Sequence, residues 1–273
     1  MFRKENKSDK RPGSASGGAS APSGNAPEKG TPGKPPFTHG FGKVLDGEAR
    51  ESEREEQSAP PKKNELDIES PKGTIHLENY CPAEKVEQLT VDPGIRMFSR
   101  NNPDRQKKAL VKVARLDGGN VIAGIVDDLL VSYIGMHHPS ERERWGKPGY
   151  PWLFELGAIE VSRNYREIGL AENMLQLTFD DPFYDDKVVL TTAFTWHWDL
   201  EGTGMDKMRY RELFIHLAEK FSFIEMATDE PNVTMDAANL FLVRLGKNVS
   251  FSNYQKFAGL LFSNDWEAML RGF

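Results

Sequence analysis

Three residues at a junction between two predicted elements could bind an anion. The segment LFELGAIEVSRNYREIGLAENMLQLTF (153–179) begins as an apolar strand, turns at Arg166, Gly169 and Ala171, and continues as a helix. The first N–H groups of a helix have no intrahelical partner, and the helix dipole adds partial positive charge there. Gly169 permits close approach of the backbone, Ala171 is small enough not to block it, and Arg166 adds a charged donor. The spacing therefore predicts a phosphate-binding turn.

This turn differs from the two most common phosphate-binding motifs. A P-loop requires Gly-Lys-Ser/Thr after its glycines, and a dinucleotide fingerprint requires Gly-x-Gly-x-x-Gly. The pattern present is Arg-x-x-Gly-x-Ala, from Arg166 to Ala171. The alternative interpretation is an ordinary glycine-containing turn in which Arg166 is solvated.

A second group of reactive side chains follows the next predicted strand, in the sequence Trp196-His197-Trp198-Asp199. Its aromatic walls suit a long aliphatic chain, while His197 could relay a proton and Asp199 could orient it. Packing of the two tryptophans in the core beside a hydrogen-bonded His197 explains the same residues equally well.

The remaining reactive residue types predict neither a metal site nor a disulfide. His137 and His138 are adjacent, so they point apart, and no cysteine or carboxylate partner shows ligand spacing. Cys81 is the one cysteine of the chain, which suits a reducing compartment. We therefore expect no metal.

The secondary-structure pattern places both reactive groups in one mixed α/β (α+β) domain with a central twisted sheet. Predicted strands are 73–80, 121–126, 129–136, 153–161, 187–196 and 221–228. Predicted helices are 82–89, 103–116, 170–179, 205–220 and 236–245, the last ending at Gly246. Residues 248–262 are compatible with a helix or a strand.

Composition separates a tail from this domain. Residues 1–65 are rich in Gly, Ser, Pro and charge and cannot bury enough apolar surface to offset their ordering entropy, which predicts a disordered tail before a folded domain at 66–273. The net charge is −6 and no predicted element is strongly basic, so nucleic acid is not expected as a partner. No window approaches the roughly 20 apolar residues of a membrane span, so we expect a cytoplasmic protein without membrane contact.

The turn at Arg166, directly after the strand LGAIEV, resembles the signature of the GCN5-related N-acetyltransferase (GNAT) superfamily. The resemblance implies the GNAT fold and acetyl-CoA as co-substrate. The turn would bind the pyrophosphate, and the end of the preceding strand would bind the pantetheine arm through its backbone. The implied contacts are Ile159, Glu160, Val161, Arg166, Glu167, Ile168, Gly169, Leu170 and Ala171.

Several blocks are similar to a narrower family, the acetoin-utilisation protein acetyltransferases. They are ERW (143–145), ELGAIEV (155–161), WHWDL (196–200), ATDEP (227–231) and RLGKNVS (244–250). The resemblance covers residues 73–262 and implies a protein-lysine acetyltransferase. The implied substrate is AMP-forming acetyl-CoA synthetase, which acetylation of its active-site lysine would inactivate.

The resemblance also implies a catalytic base. Lysine has a pKa of about 10.4 in water, so a base must lie near the acceptor amine. Some lysine acetyltransferases of the superfamily carry a catalytic glutamate at the position of Glu155, and the flanking Phe154 and Leu156 would raise its pKa by desolvation. A structural carboxylate is the alternative. Glu160 lies on the other face of a regular strand, but a bulge at the splay could redirect it, so it is the reserve candidate.

The acceptor groove would be lined by Trp196, Trp198 and Asp199, with His197 as a second catalytic residue. Superfamily members often carry a tyrosine on the last helix that protonates the leaving thiolate, but Leu242 stands at that position, so no general acid is assigned. Asn239, on the same predicted helix, would contact the cofactor, and a surface amide is the alternative. The missing tyrosine keeps open a second function, a non-catalytic acyl-CoA-binding regulatory module, and a small-amine acetyltransferase is a variant of the first.

Overall fold

The computed structural model describes residues 59–98 and 102–263. Most of the predicted disordered tail, residues 1–58, lies outside the described residues, as do residues 264–273 of the predicted domain. The described chain begins with ordered contacts, since the Lys62 N–H donates to the Asp181 carboxylate (3.1 Å) and the Asn64 N–H to the Asn79 side chain (2.7 Å).

One mixed sheet of nine strands runs through the described residues. The strands are β1 (Glu65–Ile68), β2 (Ile75–Glu78), β3 (Thr90–Val91), β4 (Asn120–Val126), β5 (Leu129–His137), β6 (Leu153–Val161), β7 (Val188–Ala193), β8 (Phe223–Glu225) and β9 (Leu240–Leu245). Their spatial order is β1-β2-β4-β5-β6-β7-β9-β8, and β3 pairs with β5.

Helices cover both faces of this sheet. They are α1 (Ala83–Gln88), α2 (Pro103–Ala114), α3 (Leu170–Phe179), α4 (Leu200–Thr203), α5 (Lys207–Glu219), α6 (Pro231–Thr234) and α7 (Phe251–Ala258). Side chains of α3 and α5 pack in the largest core cluster on one face, whereas α1 with α2, and α7, pack in two smaller clusters. Within the described residues, no helix combines the length and apolar character needed to cross a membrane.

The centre of the sheet opens between β6 and β7. These strands are parallel but pair only from Leu153–Val188 to Glu155–Leu190, after which β7 continues its pairing with β9 alone. The remaining half of β6 pairs with β5 on its other side and leaves a gap toward β7. This splayed pair, followed by α3, is the GNAT arrangement, so the predicted fold is confirmed.

A bulge changes the direction of side chains within β6. Gly135 pairs with Ala158 and Met136 with Leu156, so Gly157 is an extra residue without a partner in β5. A Cβ on Gly157 would approach the His137 ring to 2.5 Å, which explains why glycine occupies the position. The extra residue reverses the alternation of the strand beyond it.

Every predicted element has a counterpart of the same type in the structure except one near the C-terminus. Strand 153–161 and helix 170–179 match at both ends, but the helix predicted at 236–245 is wrong, because Leu240–Leu245 is the strand β9. The first four residues of β9 are all buried, and a short apolar run that is buried on both faces has no periodicity that separates strand from helix. The ambiguous segment 248–262 contains the helix α7, and the strand β1 was not predicted.

Candidate active site

A strained turn connects β6 to α3. A short 3₁₀ helix, Arg163–Tyr165, follows β6 and is capped by Ser162, whose side chain accepts from the Asn164 N–H (3.0 Å). Glu167 has φ +67° and Gly169 has φ +77°, both in the left-handed region. Gly169 is the N-cap of α3 and offers no side chain to the free N–H groups of the first turn. The predicted phosphate-binding turn thus has open amide donors at a helix N-terminus.

Arg166 is held in place by a carboxylate from the other side of the gap. Its Nη2 donates to Asp199 at 2.6 Å, and Arg163 donates to the same carboxylate through Nε (2.7 Å) and Nη2. Asp199 is 3% exposed and also accepts from the Gly202 N–H. Burial alone raises the pKa of Asp199, but the hydrogen bonds from the two arginines outweigh it and lower that pKa to about 2.

The second terminal nitrogen of Arg166 is unsatisfied. Nη1 is buried and has no hydrogen-bond partner among the described residues. A buried guanidinium donor without an acceptor is costly, and such groups usually indicate a missing ligand or water. An anion placed at the first turn of α3 would supply the acceptor.

The turn opens into a cavity of about 320 Å³, which we call the arm cavity. Its walls come from the end of β6, the turn, α5 and the loops before α2 and α4. It is lined by Met97, Phe98, Ile159, Glu160, Val161, Tyr165, Arg166, Glu167, Gly169, Leu170, Ala171, Glu172, His197, Asp199, Thr203, Tyr210, Leu213, Phe214 and Leu217. The structure therefore brings together all the predicted cofactor contacts except Ile168 and Asn239.

A narrower cavity of about 50 Å³ lies in the gap between β6 and β7, and we call it the gap cavity. It shares five lining residues with the arm cavity: Phe98, Ile159, His197, Tyr210 and Phe214. Residues 156–159 of β6 and 191–193 of β7 form its floor. A ligand bound along the arm cavity would reach the gap cavity past these shared side chains.

Glu155 and Glu160 lie on the same face of the sheet. They are five residues apart, so a regular strand would place them on opposite faces. Their partners on β5, His137 and Tyr133, are four residues apart and share a face, and the bulge at Gly157 accounts for the difference. The bulge thus redirects Glu160 from the face that a regular strand would give it.

The two glutamates differ in what surrounds them. The Glu160 carboxylate is buried and accepts from the Arg96 N–H (2.6 Å), the Met97 N–H (2.8 Å) and the Tyr133 hydroxyl (2.7 Å). Glu155 is half-buried, its carboxylate has no hydrogen-bond partner among the described residues, and it lines neither the arm cavity nor the gap cavity. Burial, with a smaller contribution from Glu143, raises the pKa of Glu155 to about 8.

The aromatic residues that follow β7 lie partly at the surface and partly in the core. Trp196 is 38% exposed and stacks on Phe194, with ring centroids 4.5 Å apart. His197 lines both cavities, and its ring lies 4.7 Å from that of Phe98. Trp198 is buried and stacks on Tyr210 at 5.1 Å. His197 and Trp198 thus line the gap cavity, whereas Trp196 lies at the surface and lines neither the gap cavity nor the arm cavity.

The structure corrects the search for a general acid. Leu242 is 1% exposed within β9, so it does not occupy the helical position from which a tyrosine would reach a thiolate. The helix that borders the gap is α5, and its Tyr210 lines both cavities. Burial raises the pKa of Tyr210, which keeps its hydroxyl protonated. The predicted helix at 236–245 directs the search to Leu242, whereas the helix that follows β7 in the sequence contains Tyr210.

Asn239 lies immediately before β9 and not on a helix, and it is away from both cavities. Its side chain accepts from the Thr195 N–H (2.9 Å) and donates to the Asn232 carbonyl (2.7 Å). It is 4% exposed. These contacts make Asn239 a tie between the loop after β7 and α6.

Two other reactive groups lie apart from the site. Burial raises the pKa of the Cys81 thiol to about 12, so its thiolate is not available as a nucleophile near neutral pH. Within the described residues, Glu65, His76 and Glu78 form a group with metal-ligand geometry. Lys63 pairs with Glu65 at 2.9 Å and with Glu78 at 3.4 Å, and these ion pairs account for the cluster without a metal.

Comparison with known proteins relates most of the chain to one group of proteins. No protein-family model matches the chain. The acetoin utilization protein AcuA of Bacillus subtilis (strain 168) is 34% identical over 195 residues, which cover 71% of this chain and 92% of that protein. AcuA of Bacillus licheniformis is 29% identical over 198 residues, covering 72% and 93% of the two chains.

A solved structure agrees with these relatives. The crystal structure of an acetoin utilization protein from Exiguobacterium sibiricum 255-15 has a TM-score of 0.73 and 27% identity, covering 77% of this chain and 99% of that one. The chain spans nearly the full length of all three proteins. With an identity of 34% over most of both chains, these likenesses show that the chain belongs to the family of the acetoin utilization protein AcuA.

Proposed function

We propose that this protein transfers the acetyl group of acetyl-CoA to a lysine of another protein in the cytoplasm. The acceptor we propose is AMP-forming acetyl-CoA synthetase, which the modification would inactivate. The observation that carries the proposal is the buried, unpartnered Nη1 of Arg166 beside the open first turn of α3. A pyrophosphate is the part of acetyl-CoA that would satisfy both groups of donors.

The residues present fit this co-substrate along its length. Arg166 and the amides up to Ala171 would hold the pyrophosphate, and the backbone of Ile159 to Val161 would hold the pantetheine arm in the arm cavity. Acetyl-CoA supplies the thioester whose acetyl group is transferred. Phe98 and His197, which line both cavities, would border the reacting end.

Proton transfer would involve Glu155 on β6 and Tyr210 on α5. Glu155 would accept the proton of the lysine ammonium through a water, since its carboxylate is unpaired and its raised pKa brings it closer to that of an amine. Tyr210, kept protonated by burial, would donate to the departing sulfur. Glu160 is not available as a base because its lone pairs already accept three hydrogen bonds.

Direct attack by the lysine, without a covalent enzyme intermediate, follows from the available nucleophiles. Cys81 is buried, its thiol pKa is raised to about 12, and it does not line the cavities described above. The exposed Trp196 and its partner Phe194 would contact the aliphatic stem of the incoming lysine.

The test is transfer of labelled acetyl from acetyl-CoA to purified acetyl-CoA synthetase, with the modified lysine located by mass spectrometry. Glu155→Gln should abolish transfer but retain binding of CoA, and Gly169→Asp should abolish both. Gly149→Asp is the matched control, because Gly149 also has positive φ (+63°) and a Cβ there would meet no atom within 4 Å.

The outcomes separate three functions. Transfer to one synthetase lysine supports the proposal, and transfer to a free polyamine or amino acid but not to the synthetase would replace it with a small-amine acetyltransferase. Tight CoA binding with no transfer to any acceptor would indicate the non-catalytic regulatory module. Equal loss in Gly169→Asp and Gly149→Asp would contradict the role of the turn.

A further inference from the structure

A third space lies behind the wall of the gap cavity. It is a void of about 20 Å³ lined by side chains from β6, β7 and β8 and from helices α3 and α5. Four residues, Leu156, Ile159, Thr191 and Phe214, line both this void and the gap cavity. The hydroxyl of Thr191 is used in a hydrogen bond to the Leu156 carbonyl (2.8 Å), so the shared wall offers apolar groups.

Phe214 is the one residue of that shared wall that does not belong to the sheet. Leu156, Ile159 and Thr191 are residues of the sheet, whereas Phe214 is supplied by α5. Its side chain is partly exposed and also lines the arm cavity, so it borders all three spaces. A change at Phe214 can therefore join the void to the gap cavity without altering the strands.

Resting on the proposed function, we propose that Phe214 sets the length of the acyl group that the site accepts. The gap cavity, of about 50 Å³, has room for a short acyl group next to the thioester. A longer chain would continue toward the void, and Phe214 supplies the one side chain of the shared wall that comes from a helix. Because protein interiors are close-packed, the ring cannot be displaced without losing its own contacts.

The expected preference for a short acyl group can be estimated from the effect of one extra methylene in an apolar pocket. One methylene too many or too few in an apolar pocket changes specificity by about 10- to 200-fold. We expect the protein to favour acetyl-CoA over butyryl-CoA by at least about tenfold in binding, for the same reason. Shortening Phe214 should open an apolar space, which stays dry and accepts apolar groups.

The experiment measures Kd for acetyl-CoA and butyryl-CoA by calorimetry, using the full chain with Phe214→Leu and Phe214→Ala. The preference for acetyl-CoA should fall by about tenfold in Phe214→Leu and further in Phe214→Ala. The leucine variant keeps the test valid if the alanine variant does not fold. The ratio of kcat/KM for the two acyl donors should follow the ratio of Kd.

Phe179→Leu is the matched control. Phe179 is partly exposed and packs against the same core cluster, but it does not line any of the three spaces. If the unmodified protein binds neither acyl-CoA, the proposed function fails and this inference fails with it. If it binds acetyl-CoA but the Phe214 variants keep the original preference, or if Phe179→Leu shifts it equally, the role of Phe214 is wrong and the proposed function stands.

Discussion

Strand β6 carries two glutamates on one face, and they differ in burial and in hydrogen bonding. At the β7-paired end, Glu155 is partly exposed, lacks a hydrogen-bond partner among the described residues, and has its pKa raised to about 8. At the splayed end, Glu160 is buried and accepts three hydrogen bonds, two of them from the loop before α2. Burial near a cofactor thus does not identify a base, because hydrogen bonds decide whether a carboxylate is free to accept a proton.

The two glutamates also differ in whether they hold parts of the fold together. Arg96 and Met97 lie just before Phe98, which lines both cavities, so Glu160 fixes the loop that forms one wall of the site. Glu155 ties no element to another through its side chain within the described residues. We therefore expect substitutions at the two positions to affect different measurements.

The largest expected effect is loss of turnover in Glu155→Gln. General-base catalysis is typically worth about 10²–10⁴-fold, so kcat should fall by a factor in that range while Kd for CoA changes little. Steady-state kinetics with the acceptor protein and calorimetry with CoA make the two measurements. His197→Gln is the comparison, and a larger loss of kcat there than in Glu155→Gln would transfer the role of base to His197.

The next effect concerns the arginines at the splayed end. Arg166→Gln should weaken CoA binding by about 10- to 100-fold, because hydrogen bonds to charged groups are worth about 1.5–3 kcal/mol. Arg163→Gln is the matched control, since Arg163 binds the same Asp199 carboxylate but does not line the arm cavity. Calorimetric titration with CoA measures both. Equal weakening in the two variants would mean that the Asp199 cluster supports the fold and not the pyrophosphate.

These contrasts show which parts of the site the sequence predicts. Strand β6, the turn and α3 are contiguous, and local signals of periodicity, glycine and charge placed them with correct ends. The partners of Arg166 and Glu160 are distant in sequence: Asp199 lies 33 residues from Arg166, and Arg96 lies 64 residues from Glu160. No local pattern encodes such contacts, so Asp199 was assigned to the acceptor groove and Glu160 to the reserve.

Two other features of the site depend on how strands pair. The extra residue Gly157 reversed the alternation of β6, and regular strand geometry could not anticipate it. Treating β9 as a helix moved the expected acid to Leu242 and left Tyr210 unnoticed. In both cases the residue types were read correctly, but their direction depended on pairing with strands elsewhere in the chain.

A moderate effect on stability is expected from Glu160→Gln. The glutamine amide keeps one acceptor oxygen, but its NH₂ group would face one of the donors that Glu160 now accepts from. A buried donor left without an acceptor costs about 1–3 kcal/mol. For a domain of this size each kcal/mol lowers Tm by about 2–4 °C. Thermal unfolding without ligand provides the measurement. A variant of unchanged Tm that loses turnover as fully as Glu155→Gln would mean that Glu160 acts in the chemistry.

A dependence on pH also separates the two glutamates. In the unfolded chain Glu155 has an ordinary pKa of about 4.3, whereas in the folded protein it is raised to about 8, so the folded state retains the proton over that interval. Unfolding then releases a proton, and the contribution of Glu155 to stability decreases as the pH rises from about 4 to about 8.

Glu155→Gln removes this titration, so its Tm relative to the unmodified protein should increase across the same interval and level off above it. Thermal melts at several pH values between 4 and 9 measure the difference, and comparing the two proteins at each pH cancels the contribution of all other groups. The turnover of the unmodified protein should rise with pH over the upper part of this range, because only the ionised carboxylate accepts a proton. A Tm difference that does not vary with pH would place the pKa of Glu155 near its ordinary value and remove the physical distinction between Glu155 and an exposed surface carboxylate.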